Sequence, residues 1–244
     1  MKKDYSFSLG LEIKQFQAGL DEICRHFNDE RFNEYLSVLV TEVEAASQKI
    51  FQNIRLEMAK QGVLQESRQL NERIVAATSY ISAMCYSTDA KVKASAMLLK
   101  QQFNSFDKPI IHMKVDGRLV AVRALLRDLS KPEMKDHVEN LPNLGGLLDD
   151  VGKAVDELAQ KRLEVDHANS MSVAPQSKLA LKREAAAKLE TLLDYLKVMT
   201  EKDASAYKSH YDVVVEVVAR INRIGRAKPS NEGKATAAVP QPSV

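Results

Sequence analysis

Apolar residues recur at every third and fourth position along most of the chain, and strict alternation appears nowhere. From Leu11 to Phe27, the positions Ile13, Phe16, Leu20, Ile23 and Phe27 fall on one helical face. Asn28 and Asp29 then supply a stop and a new N-cap. A second seam follows with Phe32, Tyr35, Leu36, Leu39, Val43, Ala46, Ile50, Ile54 and Met58, and Gly62 is expected to end it as a C-terminal glycine. A third runs from Leu64 through Leu70, Ile74, Ala77 and Ile81 to Met84. Ser87-Thr88-Asp89 caps a fourth helix that carries Val92, Ala96, Leu99, Phe103 and Phe106. Lys108-Pro109 closes it, because the residue before proline is pushed out of the helical region. Pro109 is the first proline, so four helices are expected before it.

The second half is more broken. Ile110 to Asp116 is the one stretch that could be extended. A lone strand has no partner to stabilise it, so the stretch is read as a turn into a fifth helix with Leu119, Val122, Leu125 and Leu129. Ser130 is expected to cap a short piece that starts at Pro132. Leu141-Pro142-Asn143 breaks the chain before a sixth helix with Leu144, Val151, Val155, Leu158 and Val165. Asn169 to Ser177, with Pro175, reads as an exposed loop. A seventh helix carries Leu181 to Met199, Thr200 to Asp203 makes a tight connection, and an eighth carries Tyr207 to Ile224. The expected fold is all-α: an elongated antiparallel bundle of about eight helices packed at shallow angles. Residues 1–228 form its single domain, with a two-lobe division near 107–117 as the alternative, and the small polar stretch 229–244 is expected to be disordered.

Composition adds limits. Trp is absent and aromatics are 6%, so the core must be built from Leu, Val, Ile, Ala and Met. The net charge of +2 is uneven: the stretch from Arg220 onward holds five Lys or Arg against Glu232, or +4, which leaves −2 for the preceding residues. The body therefore has no basic excess of the kind that binds nucleic acid. Cys24 and Cys85 lack zinc-type or CxxC spacing and read as buried, reduced thiols. Met1-Lys2-Lys3 leads into no apolar h-region, and no run of about 18 apolar residues exists. Neither a signal peptide nor a membrane-spanning helix is expected, and the cytoplasm is the default location.

Candidate chemistry is thin. A bundle can hold a di-iron centre with two Glu-x-x-His pairs and two further Glu, but this chain has one such pair, Glu164 and His167. His26, His112, His137, His167 and His210 are scattered over different segments, with no nucleophile motif beside them. Asp149, Asp150, Asp156 and Glu157 alternate with Lys153 and Lys161 as an ion-paired face does. Gly145-Gly146 has no phosphate-loop Lys-Ser/Thr after it and reads as a hinge or a close-packing point. Arg220, Arg223, Arg226 and Lys228 at the basic end of the last helix are candidate contacts for an anionic or protein partner. Cations also favour a helix C-terminus through the dipole alone.

Two blocks resemble a family. Asp89-Ala90-Lys91-Val92-Lys93-Ala94-Ser95-Ala96-Met97-Leu98-Leu99 with Phe103 and Phe106, and Leu147 through Val155 with Leu158 and Arg162, are similar to an uncharacterised all-helical family from gut Bacteroidetes. Val155 stands where that family more often has an aromatic, and the tail here is longer. The resemblance implies an intracellular helical bundle and carries no activity. The favoured reading is a non-enzymatic helical interaction or structural protein, with a protein partner or a second copy as its target and no cofactor. The alternatives are a small-ligand or metal binder, or an enzyme, with a pocket in the bundle around Glu164 and His167, and an anionic-surface binder through Arg220, Arg223 and Arg226.

Overall fold

The computed structural model describes residues 7–27, 32–105, 109–171 and 177–226. Among them the chain forms eight α-helices and no strand: α1 (Ile13–Phe27), α2 (Glu34–Met84), α3 (Ala90–Phe103), α4 (Val115–Leu129), α5 (Pro132–Glu139), α6 (Leu144–Ser170), α7 (Lys178–Lys202) and α8 (Ala204–Arg226). The tail 229–244 and the stop at Asn28 and Asp29 lie outside the described residues.

The expected all-α class holds, and the route to eight helices differs. The second and third apolar seams form one helix of 51 residues, and Gly62 sits inside it. A helical glycine costs about 1 kcal/mol against alanine, which weakens a helix without breaking it. Here its bareness has a use. A Cβ at Gly62 would lie 3.3 Å from Cδ of Lys161, whose side chain crosses α2 at that point. Three helices, not four, therefore precede Pro109. The count is restored by the eight residues that begin at Pro132, which form a helix of their own. Ser130 does not cap that helix. It closes α4 by donating its hydroxyl to the Arg127 carbonyl, and Lys131 takes the N-cap position of α5 without a side-chain bond. Asp89 caps α3 as expected, accepting from the Lys91 and Val92 amides. Ile110–His112 forms a 3-10 turn, as befits a stretch with no strand to pair with. Asp203 alone joins α7 to α8.

The chain divides into two compact units, one of residues 1–54 with 173–244 and one of residues 55–172. The turn near 107–117 falls inside the second unit. In the first unit, α1, the opening turns of α2, α7 and α8 bury Phe16, Leu20, Ile23, Leu36, Ile50, Leu189, Leu192, Leu196, Val214 and Val218. Charged pairs staple its helices: Lys188 to Glu42, Lys49 to Glu184 and Arg220 to Glu22.

The second unit has its own core of Leu70, Ile74, Ile81, Leu99, Val122, Leu125, Leu141, Leu144, Val151, Val155 and Leu158. Its part of α2 runs antiparallel to α6. Gly62 lies against Lys161, and Arg73 pairs with Asp150 at 3.6 Å, so advancing along α2 means retreating along α6. Arg118 of α4 is only 6% exposed and clamps the turn before its own helix to α2. Its guanidinium donates to the Ser67 carbonyl and hydroxyl and to the Ile111 and Met113 carbonyls.

Both cysteines are free and buried. Burial, and after it the carboxylates of Glu44 and Asp21, pushes the Cys24 thiol up to about 12. Thiolate is the reactive form, so Cys24 in native protein at pH 8 should alkylate about three orders of magnitude more slowly than an ordinary thiol. Iodoacetamide labelling followed by peptide mass spectrometry, native against urea-unfolded, measures this. Equal rates in the two states would show that the α1 face around Cys24 opens readily.

Candidate functional site

The broken segment between α4 and α6 builds a groove in the second unit. Pro132 starts α5 at the helix position where its missing N–H costs nothing. The Leu141-Pro142-Asn143 break then turns the chain into α6, with Asn143 at φ 67°, a left-handed conformation that asparagine tolerates better than most residues. Leu141 and Leu144 are buried on either side of the turn and anchor it.

The resulting cavity is about 810 Å³. Leu126 and Leu129 of α4, Val138 of α5 and Leu148 of α6 form its apolar lining, and Lys135, Glu139, Asp149 and Lys153 form its charged rim. Gly145, Leu148, Asp149 and Gly152 are spaced by three, four and seven, one face of α6. The two glycines remove the side chains that would otherwise fill the groove. A Cβ at Gly145 or Gly146 would meet nothing within 4 Å, and one at Gly152 meets only Leu126 at 3.9 Å. Gly145-Gly146 is therefore not a close-packing point: both residues are helical and both face open space.

This cavity has the size and the apolar character of a binding site. Its lining has no histidine or cysteine, and its one hydroxyl, on Ser130, is spent on the Arg127 carbonyl. The rim charges are partly matched, Lys135 with Glu139 at 3.8 Å and Lys153 with Asp150 at 3.5 Å.

A second groove of about 560 Å³ lies between α2 and α6. It takes in Glu164 and His167, together with Arg55, Met58, Gly62, Lys161 and Leu163. Both oxygens of Glu164 accept from Lys161 Nζ, at 2.9 and 3.0 Å. The described residues contain no group of three or more His, Cys, Asp or Glu side chains placed to hold a metal ion.

Two histidines scattered in sequence meet in space. His26 Nε2 and His210 Nδ1 are 3.0 Å apart in the first unit, with the rings of Phe27 and Phe32 packed around His210. In the second unit His137 Nδ1 lies 3.1 Å from Ser95 Oγ, and that oxygen accepts from Asn140 Nδ2. A serine beside a histidine is a nucleophile–base pair in form. Ser95 is 2% exposed and lines neither of these two grooves.

Two of the candidate arginines are drawn into local contacts. Arg220 pairs with Glu22 across α1 and α8, and Arg223 Nε donates to the Ala219 carbonyl one turn back. Arg226 stands in the last turn of α8, and Lys228 lies outside the described residues. Sequence reasoning missed the glycine-opened face of α6. The signal was the seven-residue spacing of Gly145 and Gly152 inside a helical pattern, where glycine otherwise only weakens the helix.

No helix among the described residues is long and apolar enough to cross a membrane. No curated protein and no solved structure matches the chain. Residues 64–222, from within α2 to within α8, match a family of unknown function, DUF6261, and the chain belongs to that family.

Proposed function

We propose that this chain is a non-enzymatic interaction protein of the cytoplasm, in the gut Bacteroidetes setting that the family resemblance implies, and that it receives the apolar side of a partner protein's helix in the α4–α5–α6 groove. The observation that carries the reading is the groove itself: leucines and a valine beneath a charged rim, held open by glycines that the fold of this chain does not need. Leu126, Val138 and Leu148, partly exposed over the buried Leu129, offer the surface that an amphipathic helix covers, and the alternating rim charges suit the polar flanks of such a helix.

Gly145→Met tests this. The substitution puts a flexible apolar side chain into the groove and replaces a helix-weakening residue by a helix former, so the fold survives it. Affinity capture from a native lysate, with cross-linking, should recover a protein on the wild-type chain and lose it at least tenfold on Gly145→Met. Gly117→Ala, a change into open space on α4, should leave the capture intact. Equal recovery on all three chains, or none on any, would refute the groove as the interaction site.

A further inference from the structure

We infer that the α2–α6 groove of the second unit is a binding site for a free medium-chain carboxylate, with the carboxylate on Arg55 and the alkyl chain laid over Met58 and Leu163. The site is separate from the α4–α5–α6 groove, and the inference does not depend on the function proposed for that groove. Its first support is the exposure of two large apolar side chains on facing helices. Met58 is 57% and Leu163 62% exposed, and both line the same 560 Å³ groove. Neither contributes to the core of the unit.

The second support is the charge pattern. Lys161 is neutralised by a two-oxygen contact with Glu164. Arg55 has no hydrogen bond or ion pair to any described residue and projects into the groove. The antiparallel register, with Gly62 at Lys161 and Arg73 at Asp150, places Arg55 across from Ala168 and next to His167. One end of the groove is thus cationic, with an imidazole N–H beside it, and the middle is apolar and electrically matched. A planar guanidinium accepts a carboxylate through two parallel hydrogen bonds, which sets the headgroup chemistry. Arg55 to Gly62 spans roughly 10 Å at 1.5 Å per residue, about the reach of a chain of eight to ten carbons. The lining has no Phe, Tyr or Trp, and its one ring, the His167 imidazole, lies at the Arg55 end, so the groove lacks the paired aromatic platform that a nucleotide base favours.

Titration calorimetry of the full chain at low ionic strength with decanoate, 1-decanol and decyltrimethylammonium reads out the site. Decanoate should bind with one-to-one stoichiometry, decanol at least tenfold more weakly, and the cation not at all. Arg55→Gln should weaken decanoate at least tenfold and leave decanol unchanged, whereas Met58→Gln should weaken both. Amide shifts on adding decanoate should concentrate in residues 55–62 and 160–168. Absent decanoate binding, equal affinity for decanoate and decanol, indifference to Arg55→Gln, or binding to phosphatidylglycerol vesicles without binding to free decanoate would each overturn the assignment.

Discussion

Arg118→Ala should lower the unfolding free energy of the second unit by about 3 kcal/mol, among the largest effects of any single polar substitution in this chain. The guanidinium is 6% exposed, and its acceptors are the Ser67 hydroxyl at 2.8 Å and the Ser67, Ile111 and Met113 carbonyls at 3.3, 3.1 and 2.7 Å. Burial pushes the Arg118 pKa below the ordinary arginine value, the mark of a charge that has lost its water. Arginine still keeps its proton throughout the physiological range, so the four acceptors must offset that loss. One further N–H, at Nε, is buried without a partner, which shows that the site is fitted to the two terminal nitrogens. Truncation removes all four bonds at once and strips three backbone carbonyls of a charged donor. Arg118→Lys should recover only part of the loss, because one ammonium cannot reach Ser67 on α2 and the 110–113 turn together. With no Trp in the chain, urea unfolding is best followed by far-UV circular dichroism, with hydrogen exchange of the 110–118 amides as the local readout. A loss under 1 kcal/mol, with unchanged exchange, would show that the clamp contributes little.

Arg118 also shows where sequence legibility ended. Periodicity located nearly every helix, because an amphipathic helix writes its buried face into the chain at intervals of three and four. Leu70, Ile74 and Ile81, Leu119, Val122 and Leu125, and Leu189, Leu192 and Leu196 all lie in the core that their spacing predicts. Periodicity does not say which glycine ends a helix. Gly62 is tolerated because α2 is packed on both sides of it, and tertiary contact outweighs a propensity penalty of about 1 kcal/mol. Nor does it say which seam residue is covered. Met58 continues a heptad-like run that begins at Phe32, yet it stands in solvent at the edge of a groove, since the helices that bury the earlier part of the seam belong to the other unit. The candidate site depends on such unpaired places. Grooves arise between helices distant in sequence, and the residues that matter there, Arg55 and Gly145, look ordinary in their own segments. The pairings His26 with His210 and Ser95 with His137 span 184 and 42 residues, beyond the reach of any local pattern.

Glycine to alanine should act in opposite directions in the two units, with Gly19→Ala costing about 2–3 kcal/mol. Gly19 lies on the buried face of α1, where an added Cβ would sit 2.4 Å from Cζ and 2.9 Å from Cε1 of Phe7. Phe7 is 3% exposed, and its ring stands 5.1 Å from that of Phe16, so a methyl group at position 19 must displace a buried aromatic ring. Gly145→Ala and Gly146→Ala meet no atom within 4 Å and need no positive φ, so each should raise stability by about 0.5–1 kcal/mol through helix propensity and a less flexible unfolded chain. Thermal and urea unfolding of the three variants measure the contrast. The cause at Gly19 is open to a double-mutant cycle with Phe7→Leu, which withdraws the ring atoms nearest the new methyl. If the clash with Phe7 is what makes glycine necessary, Gly19→Ala should cost at least 1 kcal/mol less in the Phe7→Leu background than in the wild type. Strict additivity of the two changes would place the need for glycine elsewhere, in the packing of the α1 backbone itself.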